Sequence, residues 1–365
     1  MSCVCDNSSS YFSDRQKPSK TLSFGSLLIG DGQPCCIVAE IGQNHNGEMG
    51  IAKKLIDMAY LCGASAVKFQ KRDIDGELSA ELRDKPYDNE NSFGATYGEH
   101  RRFLELSWQQ HQELQRYATE KNILYLCTIC DLVSLEQMAP LDLPAYKVAS
   151  RDITNVPLLV ELGKLRRPLV LSTGMADVCD IDKAVEIVSR YHDQIVILQC
   201  TSEYPCPPEH INLSALRTYR ARYGLLVGLS DHSPGVIPGV AAATMGACYL
   251  EKHITLSRAM RGTDQAGSLE MEGLRRQVSY IRQVETAMGD GDIGFRPWMD
   301  RAKAKLAKSL SCRRDLAPGD RLQEGDLELR CPGTGISWIH REQIVGKQAL
   351  RNIPKQTILD AKDFV

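Results

Sequence analysis

Along most of this chain, short apolar runs that end in polar residues alternate with longer stretches that carry apolar residues at helical spacing. The apolar runs predict eight strands. They cover 35–42, 66–70, 123–128, 145–150, 168–174, 195–202, 225–229 followed by Ser230, Asp231 and His232, and a last run that ends in Glu251, Lys252 and His253. Helices are predicted at about 49–63, with Gly63 as the residue that ends the helix, and near 108–121, 157–164, 181–191, 213–222 and 273–289. A helix of small residues is also expected between the last two strands.

Eight strands that alternate with helices predict a closed (β/α)₈ TIM barrel, in which every strand is parallel and buried. Almost every run is apolar where it begins and polar where it ends. Barrel enzymes carry their chemistry at the carboxyl ends of the strands, so this polarity favours the barrel over an open, doubly wound sheet. The open sheet remains the structural alternative.

The chain is predicted to fall into four parts. Residues 1–24 are polar and Ser-rich and are expected to form a disordered tail, while 25–290 form the barrel. The alternating pattern stops in 291–308, which is predicted to be a linker. Residues 309–365 form a small β-rich domain that is too short to be very stable alone, so we expect it to pack on the barrel or on a partner subunit.

Composition excludes several classes of partner. The formal net charge of −2 gives no reason to expect nucleic acid, and no apolar run approaches the roughly 20 residues that span a bilayer. Since the first twenty residues lack the apolar core of a signal peptide, a cytoplasmic location is expected. Cys127 and Cys130 form a C-x-x-C within a strand; packing in the core is favoured, and zinc or redox use is the alternative.

Two histidines indicate a metal site. His232 and His253 end two strands that are expected to be neighbours, and neighbouring strands lie about 5 Å apart. Both imidazoles can then bind one divalent ion. Two protein ligands leave coordination positions open, so a substrate carbonyl could bind there and be polarised by the ion. Glu40 ends the first strand and is the candidate to orient a substrate or exchange a proton. The alternative for each histidine is a structural residue held by hydrogen bonds.

Lysines and hydroxyls at the other strand ends indicate an anionic substrate. Lys68 and Lys147 lie within apolar runs, where a lysine is rarely buried without a partner. Strand-end hydroxyls would add directional donors, and together these groups suit a phosphorylated carboxylic acid. The hydroxyls are Thr128, Ser150, Ser172 and Ser230. A metal-dependent sugar-phosphate hydrolase also fits these residues taken alone.

Several blocks resemble the sialic acid synthases. They are IVAEIGQNHNG, AVKFQ, AYKVAS, LSTGM, QCTSEYP, GLSDH, LEKHIT and GTDQAGS, and the segment 309–365 resembles the antifreeze-like (SAF) domain of that family. The resemblance implies condensation of phosphoenolpyruvate with N-acetylmannosamine 6-phosphate, which gives N-acetylneuraminate 9-phosphate and phosphate. SFGATYGEHRRFLELS and QCTSEYP look most like the animal-type members, which use the 6-phosphate.

The resemblance also implies roles for individual residues. Phosphoenolpyruvate would be held by Lys68, Gln70, Thr128, Lys147, Ser150, Ser172, Ser202 and Ser230. His232 and His253 would bind Mn²⁺ or Mg²⁺, and Glu40 would lie beside the reacting carbon. The amino sugar would contact Asp152, Tyr204 and Asp264. In a domain-swapped homodimer, the antifreeze-like domain of one subunit would cap the barrel of its partner.

Three departures from the family pattern keep the acceptor open. Arg151 and Asp152 stand where a Gly-Glu pair is common, Ser202 stands where many bacterial members have Asn, and Cys331 precedes Pro332 where bacterial members have Arg. Mannose 6-phosphate, unphosphorylated N-acetylmannosamine, and a barrel that binds an acidic sugar without turnover are the alternatives. The candidates to bind a sugar phosphate are Lys71, Arg72, Arg101 and Arg102, all within the long polar segment 71–106.

Overall fold

The computed structural model describes residues 20–365, and it divides into two compact units on either side of the Gly289–Asp290 bond. The first unit contains a closed barrel of eight parallel strands. They are β3 (Cys36–Gly42), β4 (Ala66–Lys71), β5 (Leu124–Ile129), β6 (Tyr146–Val148), β7 (Leu169–Ser172), β8 (Ile195–Cys200), β9 (Leu226–Asp231) and β10 (Tyr249–His253). Each strand pairs with the next, and β10 pairs with β3. The predicted barrel is confirmed, and the open sheet is excluded.

Helices cover the outside of the barrel. They are α1 (Met49–Leu61), α5 (Trp108–Glu120), α6 (Leu132–Met138), α7 (Val156–Lys164), α8 (Val178–Ser189), α9 (Ala215–Tyr223), α10 (Ile237–Thr244) and α11 (Met271–Met288). All but α6 lie where the apolar spacing predicts a helix. Helix α1 ends at Leu61 with Cys62 as its capping residue, just before Gly63, whose φ of +79° suits glycine. The polar segment 71–106 carries three short helices, α2 (Ile74–Glu77), α3 (Ala80–Arg83) and α4 (Tyr97–Leu104), that the sequence pattern does not predict.

The inside of the barrel is apolar below and polar above. In β10, Tyr249, Glu251 and His253 share the inward face, because side chains two residues apart in a strand point to the same side. Tyr249 packs in an apolar cluster at the amino ends of the strands. The register sets His253 opposite Glu40 and, two residues earlier in β10, Glu251 opposite Ser230, so the polar residues of three neighbouring strands occupy two successive levels near the carboxyl ends.

A hairpin closes the apolar end of the barrel. Strands β1 (Thr21–Phe24) and β2 (Leu27–Gly30) pair in antiparallel fashion, and Leu22, Phe24 and Ile29 join the apolar cluster of the barrel interior. The prediction of a disordered tail up to residue 24 is therefore wrong for Thr21–Phe24, because their alternate side chains are apolar and buried. The rest of that predicted tail, residues 1–19, lies outside the described residues.

The second unit, Asp290–Val365, is β-rich as predicted. Strands β11 (Ser309–Cys312) and β12 (Leu327–Arg330) pair in antiparallel fashion, and isolated bridges connect further segments around them. This unit has an apolar cluster of its own, which includes Leu310, Leu322 and Ile353. The segment predicted as a linker, 291–308, contains the helix α12 (Asp300–Leu306).

Within residues 20–365, no helix is both long enough and apolar enough to cross a membrane.

The hairpin generates a prediction about stability. Phe24 is completely buried, with its ring centroid 6.3 Å from that of Tyr249, so Phe24→Ala should lower the free energy of unfolding by about 3–5 kcal/mol. Leu28→Ala is the matched control, since Leu28 lies in the same hairpin but is 42% exposed, and it should cost far less. Denaturant unfolding measures both values. Equal losses in the two variants would contradict the closure of the barrel by this hairpin.

Candidate active site

A cavity of about 270 Å³ opens at the carboxyl ends of the barrel strands. It brings together all but one of the residues predicted to take part in catalysis, to bind the metal, or to contact phosphoenolpyruvate or the amino sugar. Those that line it are Glu40, Lys68, Gln70, Thr128, Lys147, Ser150, Ser172, Ser202, Tyr204, Ser230, His232, His253 and Asp264. Asp152 is not among the lining residues, but its neighbour Arg151 is.

Lys68 is the centre of the charge network in this cavity. Its side chain is 1% exposed, and its Nζ lies 2.7 Å from Glu40 Oε2 and 3.5 Å from Glu251 Oε1. The same ammonium group donates a hydrogen bond of 2.7 Å to Thr128 Oγ1. Gln70 Nε2 donates to the other oxygen of Glu40 at 2.8 Å. A buried cation is thus held between two carboxylates, with its remaining donor capacity directed to a hydroxyl.

The two carboxylates differ in their affinity for a proton. Burial raises the pKa of Glu40, although Lys68 opposes the shift. Burial would also raise the pKa of Glu251, but the neighbouring ammonium groups of Lys68 and Lys147 outweigh it and lower that pKa to about 2. Glu251 therefore stays ionised at neutral pH, while Glu40 is the carboxyl suited to exchange a proton.

Sequence reasoning assigned no role to Glu251, although its signal was available. Glu251 precedes His253 by two residues in β10, and residues at that spacing share a face of a strand. The same spacing joins Lys68 to Gln70 and Ser230 to His232, which line the cavity in pairs. The other lining residues that the sequence reasoning missed are Gln43, Tyr97, Ala149, Met175, Cys200 and Thr263.

A second cationic region surrounds Lys147. Burial lowers the pKa of Lys147, against the opposing charge of Glu251, and its Nζ donates to the carbonyl of Val148 at 2.9 Å. Ser172 Oγ is buried without a hydrogen-bond partner. A buried hydroxyl that lacks a partner costs free energy, so a ligand oxygen that accepted its hydrogen bond would relieve that cost.

Glycine at position 174 lets the backbone approach this region closely. The amide of Gly174 donates to Ser150 Oγ at 2.9 Å. A Cβ atom at this position would lie 2.6 Å from Ser202 Oγ and 2.9 Å from Cys200 Sγ, too close for either contact. Only glycine therefore leaves the hydroxyls of Ser150 and Ser202 in place beside the backbone.

The two histidines lie next to each other in the cavity wall, with ring centroids 5.5 Å apart. His232 Nδ1 lies 2.7 Å from the carbonyl oxygen of Thr201, which can only accept, so Nδ1 carries the proton and Nε2 the lone pair. The Tyr204 hydroxyl donates to that Nε2 at 2.7 Å. His253 Nδ1 has no hydrogen-bond partner, and Asp264 Oδ2 lies 3.9 Å away.

This pair fits a divalent ion. Burial lowers the pKa of His253 to about 4, so its imidazole is neutral at pH 7, the form that binds metal. The lone pair of His232 Nε2 accepts from the Tyr204 hydroxyl, which a metal ion would displace, and the carbonyl of Thr201 orients the ring as outer partners of metal-binding histidines do. Among residues 20–365, no group of three or more His, Cys, Asp or Glu side chains converges on a metal position.

One further charged pair and the C-x-x-C are structural. Asp231 and Lys252 lie on the outward face of β9 and β10, where they form a fully buried ion pair of 2.8 Å. Cys127 and Cys130 are buried free thiols, and burial raises the pKa of both. Core packing is thus the structural role of the two cysteines.

Of the four basic residues considered for a sugar phosphate, two line the cavity. Arg72 and Arg101 lie at its mouth, each 7% exposed. Lys71 instead donates to the carbonyl of Arg72 at 3.1 Å, and Arg102 points outward to pair with the exposed Asp75. Arg151 joins the mouth from the segment that follows β6.

The geometry agrees with comparisons to known proteins. The model of the NeuB family matches residues 55–293, and the model of the SAF domain matches 307–365. N-acetylneuraminate-9-phosphate synthase of Homo sapiens is 38% identical over 292 residues, which are 80% of this chain and 81% of the human one. N,N'-diacetyllegionaminic acid synthase of Campylobacter jejuni is 36% identical over 327 residues, covering 88% of this chain and 98% of that one.

A solved structure shows the same likeness. The N-acetylneuraminic acid (sialic acid) synthetase of Leptospira borgpetersenii, in complex with citrate, superimposes with a TM-score of 0.69 at 28% identity. The match covers 78% of this chain and 95% of that one.

The histidine pair generates a prediction about metal. His232→Ala and His253→Ala should each weaken Mn²⁺ binding by about 100-fold or more, because even the outer partners of metal ligands are worth about 10- to 100-fold. Free Mn²⁺ measured by electron paramagnetic resonance reports the affinity directly. His210→Ala is the control, since His210 is exposed, paired with Glu203 and outside the cavity. Unchanged Mn²⁺ binding in both variants would rule out the two ligands.

Proposed function

The chain belongs to the NeuB family, the sialic acid synthases, and from this premise we propose that it condenses phosphoenolpyruvate with N-acetylmannosamine 6-phosphate, giving N-acetylneuraminate 9-phosphate and inorganic phosphate. The observation that carries the proposal is that one cavity holds Lys68, Lys147 and the unpartnered hydroxyl group of Ser172 together with the two histidines. The lysines and the hydroxyl suit an anionic enol phosphate, and the histidines suit a metal ion that binds an aldehyde.

Lys147 and the hydroxyls would hold phosphoenolpyruvate. Its phosphate and carboxylate are acceptors only, and Ser172 Oγ has an unused donor for them. Lys68 lies between this region and Glu40, so it neutralises part of the substrate charge while remaining paired. Fixing the methylene carbon against the aldehyde carbon in this way lowers the entropic part of the barrier.

His232 and His253 would hold Mn²⁺ or Mg²⁺, which supplies Lewis-acid polarisation of the aldehyde carbonyl when bound. Tyr204 stacks on the His232 ring with centroids 3.9 Å apart, and Asp264 lies beside His253. Both can therefore contact the sugar next to its reacting end. The contact of Asp152 with the sugar stays a prediction, since Asp152 lies outside the cavity wall.

Glu251 and Glu40 would have different roles in the reaction. As the methylene carbon bonds to the aldehyde carbon, the enol carbon becomes positively charged, and the ionised Glu251 stabilises that charge. Water adds to this carbon, and Glu40 accepts the proton that the water loses. The aldehyde oxygen, which has become an alkoxide, takes up the proton held by Glu40. The carbon–oxygen bond to phosphate then breaks, the hydroxyl group that came from water loses its remaining proton to become the keto oxygen, and the departing phosphate takes that proton.

Other acceptors remain alternatives within the family. The Campylobacter jejuni relative, at 36% identity, is a synthase of a diacetylated acid, so an aldose with two acetamido groups is a second candidate. Mannose 6-phosphate and unphosphorylated N-acetylmannosamine are the others. The cytoplasmic location, the homodimer and its cap formed by 309–365 also stay predictions.

The proposed reaction is tested by measuring phosphate release and its ¹⁸O content with and without an acceptor sugar. Purified protein with phosphoenolpyruvate and Mn²⁺ in ¹⁸O-water should release unlabelled phosphate only when an aldose is present, because carbon–oxygen cleavage places the water oxygen in the sugar acid. A chelator should stop the release. A hydrolase that cleaves the phosphorus–oxygen bond would give labelled phosphate without phosphoenolpyruvate, and a binding protein would give none.

Lys68 generates a separate prediction. Lys68→Met keeps the length of the side chain but removes the ammonium group, so phosphoenolpyruvate should bind about 10- to 100-fold more weakly, the loss expected for a charge-assisted hydrogen bond. Calorimetry without acceptor measures this binding, and melting temperature reports folding. Lys53→Met is the control, since Lys53 lies on the surface in a pair with Glu113. A folded Lys68→Met protein with unchanged affinity would contradict the assignment.

A further inference from the structure

We propose that Arg72, Arg101 and Arg151 form a second anion site at the mouth of the cavity, which binds the phosphate group of a phosphorylated acceptor sugar. This mouth site is built from residues other than those around Lys147. The inference rests on the proposed function, and it deepens it by stating how the enzyme distinguishes a phosphorylated acceptor from a neutral one.

Unused donors carry the inference. Arg101 Nη2 and Arg151 Nη2 are buried nitrogen atoms without a hydrogen-bond partner, and Arg72 Nε makes no hydrogen bond but lies 3.8 Å from Glu105 Oε1. All three side chains line the same cavity, and those of Arg72 and Arg101 are more than nine-tenths buried. Because a buried donor without a partner costs free energy, such donors on side chains that line one cavity indicate a ligand that accepts hydrogen bonds.

The three guanidinium groups are held in place by their other nitrogen atoms. Arg101 Nη1 donates to Gln43 Oε1 at 2.7 Å, and Arg151 Nη1 pairs with Glu77 Oε1 at 2.7 Å. Arg72 donates to Gln70 through Nη2. The side chains are thus fixed before a ligand arrives, and little rotamer entropy is lost when it binds.

The charge balance favours an anion with more than one negative charge. Three guanidinium groups face the mouth, while Glu77 and Asp152 beside Arg151 and Glu105 beside Arg72 offset part of that charge. Burial raises the pKa of Asp152 to about 6 and that of Glu105 to about 7, so these carboxyls are weaker counter-charges than exposed ones. A phosphate monoester brings up to two negative charges and three acceptor oxygens, which planar guanidinium groups bind in pairs.

The topology sets Arg72 and Arg151 opposite the histidines. Arg72 follows β4 and Arg151 follows β6, so the two flank β5, while His232 and His253 end β9 and β10. In the strand order of the barrel, β5 is four strands from β9 and lies across the cavity from it. An acceptor whose aldehyde lies at the histidines would thus extend its far end, where a 6-phosphate is attached, towards the guanidinium groups.

Mannitol 6-phosphate tests the site without turnover, because it has no aldehyde. Its binding is measured by calorimetry with saturating phosphoenolpyruvate, which fills the region around Lys147. Arg101→Ala should weaken it by about 10- to 100-fold, the loss expected for a hydrogen bond between charged groups. Arg102→Ala is the matched control, since the adjacent Arg102 points outward on the same helix and should leave the affinity unchanged.

Kinetics and free phosphate supply the other readouts. KM for N-acetylmannosamine 6-phosphate should rise in Arg101→Ala by the same factor, whereas KM for phosphoenolpyruvate and for unphosphorylated N-acetylmannosamine should not change. Inorganic phosphate should bind more weakly than mannitol 6-phosphate. Should Arg101→Ala fail to fold, Arg101→Lys and the less buried Arg151→Ala keep the test available, with a smaller loss expected for the lysine variant.

The outcomes separate this inference from the proposed function. Equal binding of mannitol and mannitol 6-phosphate, equal binding of inorganic phosphate and mannitol 6-phosphate, or folded Arg101 and Arg151 variants that keep full affinity would overturn the mouth site. Condensation with no preference for the phosphorylated acceptor would overturn the site and leave the function intact. Phosphate-dependent binding that Arg101→Ala abolishes, without condensation of any acceptor, would support the site and overturn the function.

Discussion

The buried ammonium group of Lys68 is the constraint on which the rest of the site depends. A lysine that is 1% exposed must keep its charge paired or lose it, and here two carboxylates lie within 3.5 Å of it. These carboxylates come from β3 and β10, which are neighbours only because the barrel closes. Lys68 therefore has both of its carboxylate partners only when the barrel is closed. Replacing either carboxylate is expected to lower the free energy of unfolding, because it leaves a buried charge less well paired.

The arrangement of charges also gives the two carboxylates of the cavity different protonation behaviour. Lys68 and Lys147 together hold Glu251 in its ionised form, whereas Glu40, which has fewer cations around it, has a raised pKa. A permanent negative charge and an exchangeable proton thus lie on either side of one ammonium group. The neutral His253 completes the set with a ring nitrogen, Nδ1, that has no hydrogen-bond partner. Such divergence between neighbouring titratable groups is typical of active sites.

Apolar packing in the lower half of the barrel offsets the free-energy cost of the buried polar groups in the upper half. Tyr249, two residues before Glu251 on the same face of β10, packs with Phe24 of the hairpin. A change from apolar to polar therefore takes place within one strand, over a rise of about 7 Å. The hairpin excludes water from the apolar level, while the loops after the strands, which carry Arg151 and Tyr204, shape the mouth. Stability and chemistry are thus assigned to opposite ends of the same strands.

The sequence by itself determined the barrel, because strands buried on both sides need apolar runs and the chemistry needs polar strand ends. It also determined most of the site: Lys68, Lys147 and the two histidines are residue types that rarely occur in such runs without a partner. It did not reveal that the strand Thr21–Phe24 is ordered, since four residues of alternating pattern become a strand only when a barrel floor receives them. Tertiary structure alone decided that Arg151 rather than Asp152 faces the cavity, that Glu251 shares Lys68 with Glu40, and that Arg101 but not Arg102 points inward. The physical reason is that orientation and charge pairing depend on groups far apart in the chain, which local patterns of residues do not encode.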